Sequence, residues 1–259
     1  MISIVRPFKN VIKCINAFGD AVFFLGEVLK VIFSGRIRFL QVLEQMYYQG
    51  VQSIVIIILS SLASGTVLGL QGSVTLARFG AREFIAPLVG LSLLRELSPV
   101  FTAFIYSGKS GAGITAELGT MNTHEQIQAT RAMGVDPIEF LVVPRFLACI
   151  FVLPVLVVIS ELVGMLGGYI VAVYQAQIPS AIYIRHTMQS IAYVDFFSGM
   201  IKTFFFSIIV AWICCYQGFF TSGGALGVGR FTTRAVAYSY IAVILSNALL
   251  TMIILTVWG

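Results

Sequence analysis

The sequence predicts an all-α membrane protein. It should have an N-terminal interfacial amphipathic helix, about five transmembrane helices and a short helix on the cytoplasmic side. Three observations carry that prediction. Of 259 residues, 58% are hydrophobic and only 10% are charged, where a soluble domain carries about 25% charged residues. Apolar runs that approach or exceed the roughly 20 residues needed to cross a bilayer recur along the chain. Arg6, Lys9, Lys13, Lys30, Arg36 and Arg38 all precede the first of these runs, the cationic bias that holds a terminus in the cytoplasm. The net charge of +5 therefore points to membrane topology rather than to nucleic acid.

Residues 1–45 make the interfacial region. Phe8, Val11, Ile12, Ile15, Phe18, Val22, Leu25, Leu29 and Ile32 recur at three- and four-residue steps. Lys9, Lys13, Asn16, Asp20, Glu27 and Lys30 occupy much of the other side. A helix so divided lies along the membrane with its basic face among headgroups. Lysines recur through this stretch, which argues against a cleaved leader. Spans are expected at 51–70, entered past Tyr47 and Tyr48, and at 84–107, 146–174, 196–219 and 235–258, with Pro154 kinking the third. An odd number of crossings from a cytoplasmic start leaves the C-terminus outside. Arg131, Arg145, Arg230 and Arg234 then fall inside, against Arg78, Arg82 and Arg185 outside.

Between the second and third spans, NTHEQIQATRAMGVDP predicts a cytoplasmic helix over 123–133. Thr123 and Gln126 fit a capping box, which satisfies orphan amides at a helix start. Glu125 complements the positive helix end. Gly134 is placed to end the helix in a left-handed conformation, and Pro137 prevents its continuation. Such a helix either closes the loop or docks against a cytoplasmic partner, and docking is the reading taken here.

Tyr106 to Gly113, YSGKSGAG, resembles both a phosphate loop and the G-x-S-G surround of a membrane serine protease. The phosphate loop needs a glycine where Ala103 stands, and a strand where a span runs. The protease needs a histidine at the serine's depth, but His124 belongs to the cytoplasmic helix and His186 to an outside loop. What remains is packing. Ser107, Gly111, Thr115 and Gly119 recur every four residues, as do Gly108, Ala112 and Ala116. Ser61, Gly65 and Gly69 form a similar ridge on the first span. Small residues at this spacing let helices approach closely in lipid, so Gly65, Gly69, Gly108 and Gly111 are candidate packing positions. Lys109 should reach toward headgroups or the cytoplasm. Cys14, Cys149, Cys214 and Cys215 lack metal-ligand spacing, and no metal site is expected.

Arg95 and Glu96 stand in the middle of the second span. An ionised side chain in hydrocarbon costs several kcal/mol unless it is paired or hydrated. Adjacent helical residues diverge by about 100°, so each needs a partner elsewhere, either as a structural ion pair or as the lining or gate of a transport cavity. Glu161 in the third span raises the same question. Lys202, near the end of the fourth, should snorkel.

The stretch LRELSPVFTAFIYSGKSGAGITAELGTMNTHEQIQATRAMGVDPIEFLVVPR, 94–145, resembles the signature region of the MlaE/YrbE permease family. CYQGFFTSGGALGVGRFTTRAVAYS, 215–239, resembles that family's second signature. Ser98 departs from a usual glycine, Lys109 from an arginine whose planar fork it lacks, and Asn247 from a frequent aspartate. The resemblance implies that 1–259 is a single, non-catalytic permease domain of a lipid-moving ABC transporter in the inner membrane of a Gram-negative bacterium, with phospholipid as cargo and outer-membrane lipid asymmetry as its purpose. Related systems that import sterols or other lipids are the alternative, as is a self-sufficient secondary transporter using Arg95, Glu96 and Glu161. The implied partners are a second copy of the chain, a cytoplasmic ATPase that alone binds ATP and magnesium, a small STAS-domain subunit and a periplasmic ring of MCE-domain subunits. Thr123, Glu125, Gln126 and Arg131 would then couple to the ATPase. Leu68, Leu70, Leu91, Leu94, Arg95 and Glu96 would line or gate a lipid cavity at the dimer interface.

Overall fold

The computed structural model describes residues 5–35 and 37–258, with side chains at Asn16 and from residue 19 onward. Eight helices make up this part, with no strand among the described residues. They are α1 (Val5–Phe33), α2 (Phe39–Arg78), α3 (Arg82–Thr123), α4 (Gln126–Ala132), α5 (Ile138–Tyr174), α6 (Ser180–Ser190), α7 (Tyr193–Phe219) and α8 (Gly224–Trp258). Helices α2, α3, α5, α7 and α8 are long and apolar enough to cross a membrane. Each outruns its sequence window, because hydropathy marks only the part suited to hydrocarbon. The 40 residues of α2 extend about 60 Å, against a hydrocarbon layer of about 30 Å.

Helix α1 is a single amphipathic element. Its apolar positions Phe8, Val11, Ile12, Ile15 and Phe18 lie outside the residues whose side chains are described, as do Lys9, Lys13, Cys14 and Arg36. Further along, Phe24 and Val28 are buried. The Phe24 ring lies 5.5 Å from Phe219 and 5.8 Å from Tyr216, and Trp212 Nε1 donates to the Ala21 carbonyl at 2.7 Å. Those contacts fix α1 to the end of α7.

The small-residue ridges lie at helix contacts. Ser61 Oγ donates to Ser160 Oγ at 2.7 Å. Gly65 rests on the backbone of Gly164, where a side chain would overlap a carbonyl. A Cβ on Gly69 would stand 3.3 Å from Gly168 Cα. Helices α2 and α5 thus pack backbone to backbone, gaining dispersion contact where lipid supplies no hydrophobic drive. On α3, a Cβ on Gly111 would come 2.8 Å from Cys214 Sγ of α7, and one on Gly108 would come 2.8 Å from the Tyr240 hydroxyl of α8. Thr115 Oγ1, on the same ridge as Gly111, donates to the Cys214 carbonyl at 3.0 Å. Cys149, Cys214 and Cys215 are free thiols buried in this packing.

One expectation is corrected here. Thr123 does not cap α4. Helix α3 runs on to Thr123, whose hydroxyl turns back to the Thr120 carbonyl at 3.0 Å, so α4 begins only at Gln126. The reversal is made by Glu125 at φ +58, a left-handed conformation unusual for a residue with a side chain. Gly134, at φ +77, closes the other end. Lys109, at the inner end of the second predicted span, folds onto α2, where its ammonium donates to the Gln52 carbonyl.

Candidate functional site

Helix α3 is interrupted by π-helical turns at Leu93–Leu97 and Ser107–Gly111. A π-turn inserts one residue into the helical repeat and re-aims the side chains around it, which is why such turns gather at functional sites. The first holds Arg95 and Glu96 and directs both toward α7. There Asp195 and Lys202 wait seven residues apart, close to two full turns, on one face.

Arg95 binds Asp195 Oδ1 through Nε at 2.6 Å and Nη2 at 2.5 Å. The other oxygen, Asp195 Oδ2, accepts the Ala192 amide at 2.9 Å and starts α7. Lys202 is fully buried, with all three ammonium protons satisfied. It donates to Glu96 Oε1 at 2.6 Å, to the Arg95 carbonyl at 2.9 Å and to Thr251 Oγ1 at 2.8 Å. Asn247 Nδ2 donates to Glu96 Oε2 at 2.9 Å. The four charges sum to zero, so the assembly is neutral as a whole, which lowers the penalty of holding it in an apolar surrounding.

These groups border a cavity of about 120 Å³, walled on its other sides by Val194, Ile254, Leu255 and Trp258. A water needs about 10–15 Å³ of such space, so the cavity has room for several waters. Of the six residues expected at a lipid cavity, Arg95 and Glu96 line this one. Leu94 is buried and does not line it. Leu68 packs half-buried against a separate cluster around Ile85 and Val89, and Leu70 and Leu91 are half-buried elsewhere. Glu161 is also apart, buried on α5 with its Oε1 unpartnered.

The snorkelling expected of Lys202 is corrected: the Glu96 carboxylate, the Arg95 carbonyl and the Thr251 hydroxyl hold it in place. Asp195, Lys202 and Thr251 were all missed as partners of the Arg95–Glu96 pair. The seven-residue step from Asp195 to Lys202 and the four-residue step from Asn247 to Thr251 were visible signals, but which helix they face is a tertiary fact. A second buried cation, Arg145, pairs Nη2 with Glu117 Oε1 at 2.7 Å and gives Nη1 to the Leu141 carbonyl at 2.5 Å. Among the described residues, no group of His, Cys, Asp and Glu is disposed to hold a metal.

Helix α4 makes a second candidate surface. Ile127 and Thr130 turn inward, while His124, Glu125, Gln126, Gln128 and Arg131 are exposed, and Met133 is 74% exposed. The expected coupling residues Glu125, Gln126 and Arg131 therefore share the open side.

A family model described as Permease MlaE matches residues 42–253. A probable ABC transporter permease of Rickettsia typhi is 36% identical over 249 residues, covering 96% of each chain. The intermembrane phospholipid transport system permease protein MlaE of Haemophilus influenzae is 37% identical over 95% of this chain and 94% of its own. A probable ABC transporter permease of Synechocystis is 38% identical over 89% of this chain and 88% of its own.

Proposed function

The chain belongs to the MlaE permease family, and we propose that it is the membrane subunit of an ABC transporter moving phospholipids between the inner and outer membranes, so maintaining outer-membrane lipid asymmetry. The observation that carries this reading is the reach of the likeness, which takes in both the charged site and α4. The N-terminus lies in the cytoplasm and the C-terminus in the periplasm. The chain works as a homodimer with a cytoplasmic ATPase, a STAS-domain subunit and a periplasmic MCE ring. ATP and magnesium belong to the ATPase.

Helix α8 supports the dimer. Ile241, Leu245, Leu249 and Met252 are each more than half exposed and fall on one side at helical spacing, leaving an apolar stripe for a second copy. Lipid then occupies the space between copies, walled by α2, α3 and α8. The Arg95–Asp195 and Lys202–Glu96 pairs brace its outer end as a gate. Closure of the ATPase dimer pushes α4, the helices shift, and the lipid passes to or from the ring.

The test is to replace Glu125 and Arg131 with alanine in the assembled transporter. Lipid-linked ATPase activity should fall while the permease still inserts, and unchanged coupling overturns the docking role. Identifying the lipid that co-purifies tests the cargo. Transport that persists without the ATPase but collapses with the proton gradient would show a secondary transporter instead.

A further inference from the structure

The corner between α3 and α4 is tied to the rest of the molecule in two directions. Toward α5, the Glu117–Arg145 pair clamps the end of α3 to the start of the next span. Toward α7 and α8, Asn122 Nδ2 donates to the Thr221 carbonyl at 2.8 Å. Beside it, Gly119 approaches so closely that a Cβ there would stand 2.9 Å from Thr221 Oγ1 and 3.3 Å from its Cβ. Thr221 is itself a fixed point. It is 3% exposed, and its hydroxyl donates back to the Gln217 carbonyl at 2.8 Å.

From Thr221 the chain turns directly into α8. Gly223 and Gly224 take φ of +95° and +65°, and a side chain on Gly227 would overlap the Ser222 carbonyl. The turn and the first turn of α8 thus form one compact piece. At its far end, about 35 Å away at 1.5 Å per residue, α8 presents Asn247 and Thr251 to the charged site. Helix α4 is separated from α3 by only His124 and Glu125, so a push on α4 is passed to the end of α3.

We propose that Asn122 is a positioning residue for energy coupling: its hydrogen bond to Thr221 carries the displacement of α4 into α8, and through α8 to the charged site. This rests on α4 being the helix that an ATPase engages. Asn122 acts through Thr221.

The experiment compares Asn122→Ala and Asn122→Asp in the complete transporter reconstituted in phospholipid vesicles. It reads the lipid moved per ATP hydrolysed, with basal ATPase rate, insertion and melting temperature measured alongside. Aspartate keeps the shape of asparagine but sets a carboxylate oxygen against the Thr221 carbonyl. Lipid moved per ATP should fall about fivefold, the factor that one hydrogen bond's net worth represents, with the basal rate kept. A purely structural role would lower melting temperature or yield and leave the ratio intact, and an unchanged ratio in both variants overturns the proposal. Should the aspartate variant fail to assemble, the alanine variant decides alone, since it removes the bond without adding charge. If the unaltered transporter moves no lipid with ATP, the functional reading fails rather than the Asn122 link.

Discussion

Each ion pair at the charged site joins a buried partner to an open one, and this asymmetry fixes which substitution does more harm. The Lys202 side chain is 2% exposed and Glu96 38%, while Asp195 is 4% exposed and Arg95 49%. Glu96→Met strands an ammonium inside the protein. Lys202→Met strands a carboxylate that borders the cavity, where water can hydrate it, and that still accepts from Asn247. Breaking a buried pair and leaving its charge behind destabilises by about 3–5 kcal/mol. A stranded but accessible charge gives up only the small gain of an exposed pair, about 0–1 kcal/mol, plus lost packing. Glu96→Met should therefore be the worse of the two by about 2 kcal/mol or more. By the same reasoning Arg95→Met, which abandons buried Asp195, should be worse than Asp195→Asn.

The assay is equilibrium unfolding of the permease in bilayer discs, followed by steric trapping, with the four single variants and the double variant Glu96→Met/Lys202→Met. The double variant removes both charges and should recover most of the loss suffered by Glu96→Met. Equal losses within each pair, or a double variant as unstable as the sum of its singles, would refute the argument, because neither outcome is compatible with a penalty set by the stranded buried charge.

Three further outcomes follow from the packing. Gly65→Val should destabilise by about 1–3 kcal/mol or more through overpacking, read by the same unfolding assay, because Gly164 backbone occupies the side-chain space; the same change at Gly26, where nothing lies within 4 Å, should cost far less. Glu125→Val should destabilise by about 1–2 kcal/mol, since a β-branched residue resists the left-handed conformation, whereas Glu125→Gly should be neutral or stabilising in thermal melts. Burial pushes the Tyr183 phenol on α6 up from 10.0 to about 12. Its contribution to stability is whole below pH 10 and is lost as pH rises through 12, because the unfolded chain ionises first. That loss is about 3 kcal/mol at 1.36 kcal/mol per unit, and Tyr183→Phe should flatten it in alkaline unfolding curves.

The helices were legible because lipid imposes long apolar runs and close helix contact demands small residues at four-residue spacing. Gly65 and Gly111 are therefore readable without coordinates. The charged site was legible only in half. Arg95 and Glu96 announce themselves by their expense in an apolar run, but their partners do not. Asp195 sits at a helix start where acids are common, and Lys202 looks like an ordinary terminal lysine until α3 and α8 close around it. Thr123 misled because a capping residue and a last-turn residue share one side chain; the backbone beyond it decides which carbonyl or amide the hydroxyl meets. Asn122 was invisible for a related reason. Its importance lies in the Thr221 carbonyl, a main-chain atom with no signature in sequence. Groups whose cost is local can be read from the chain, while groups whose value is a partner's position await the fold. The Glu117–Arg145 and Asn122–Thr221 ties at the end of α3 are both of the second kind.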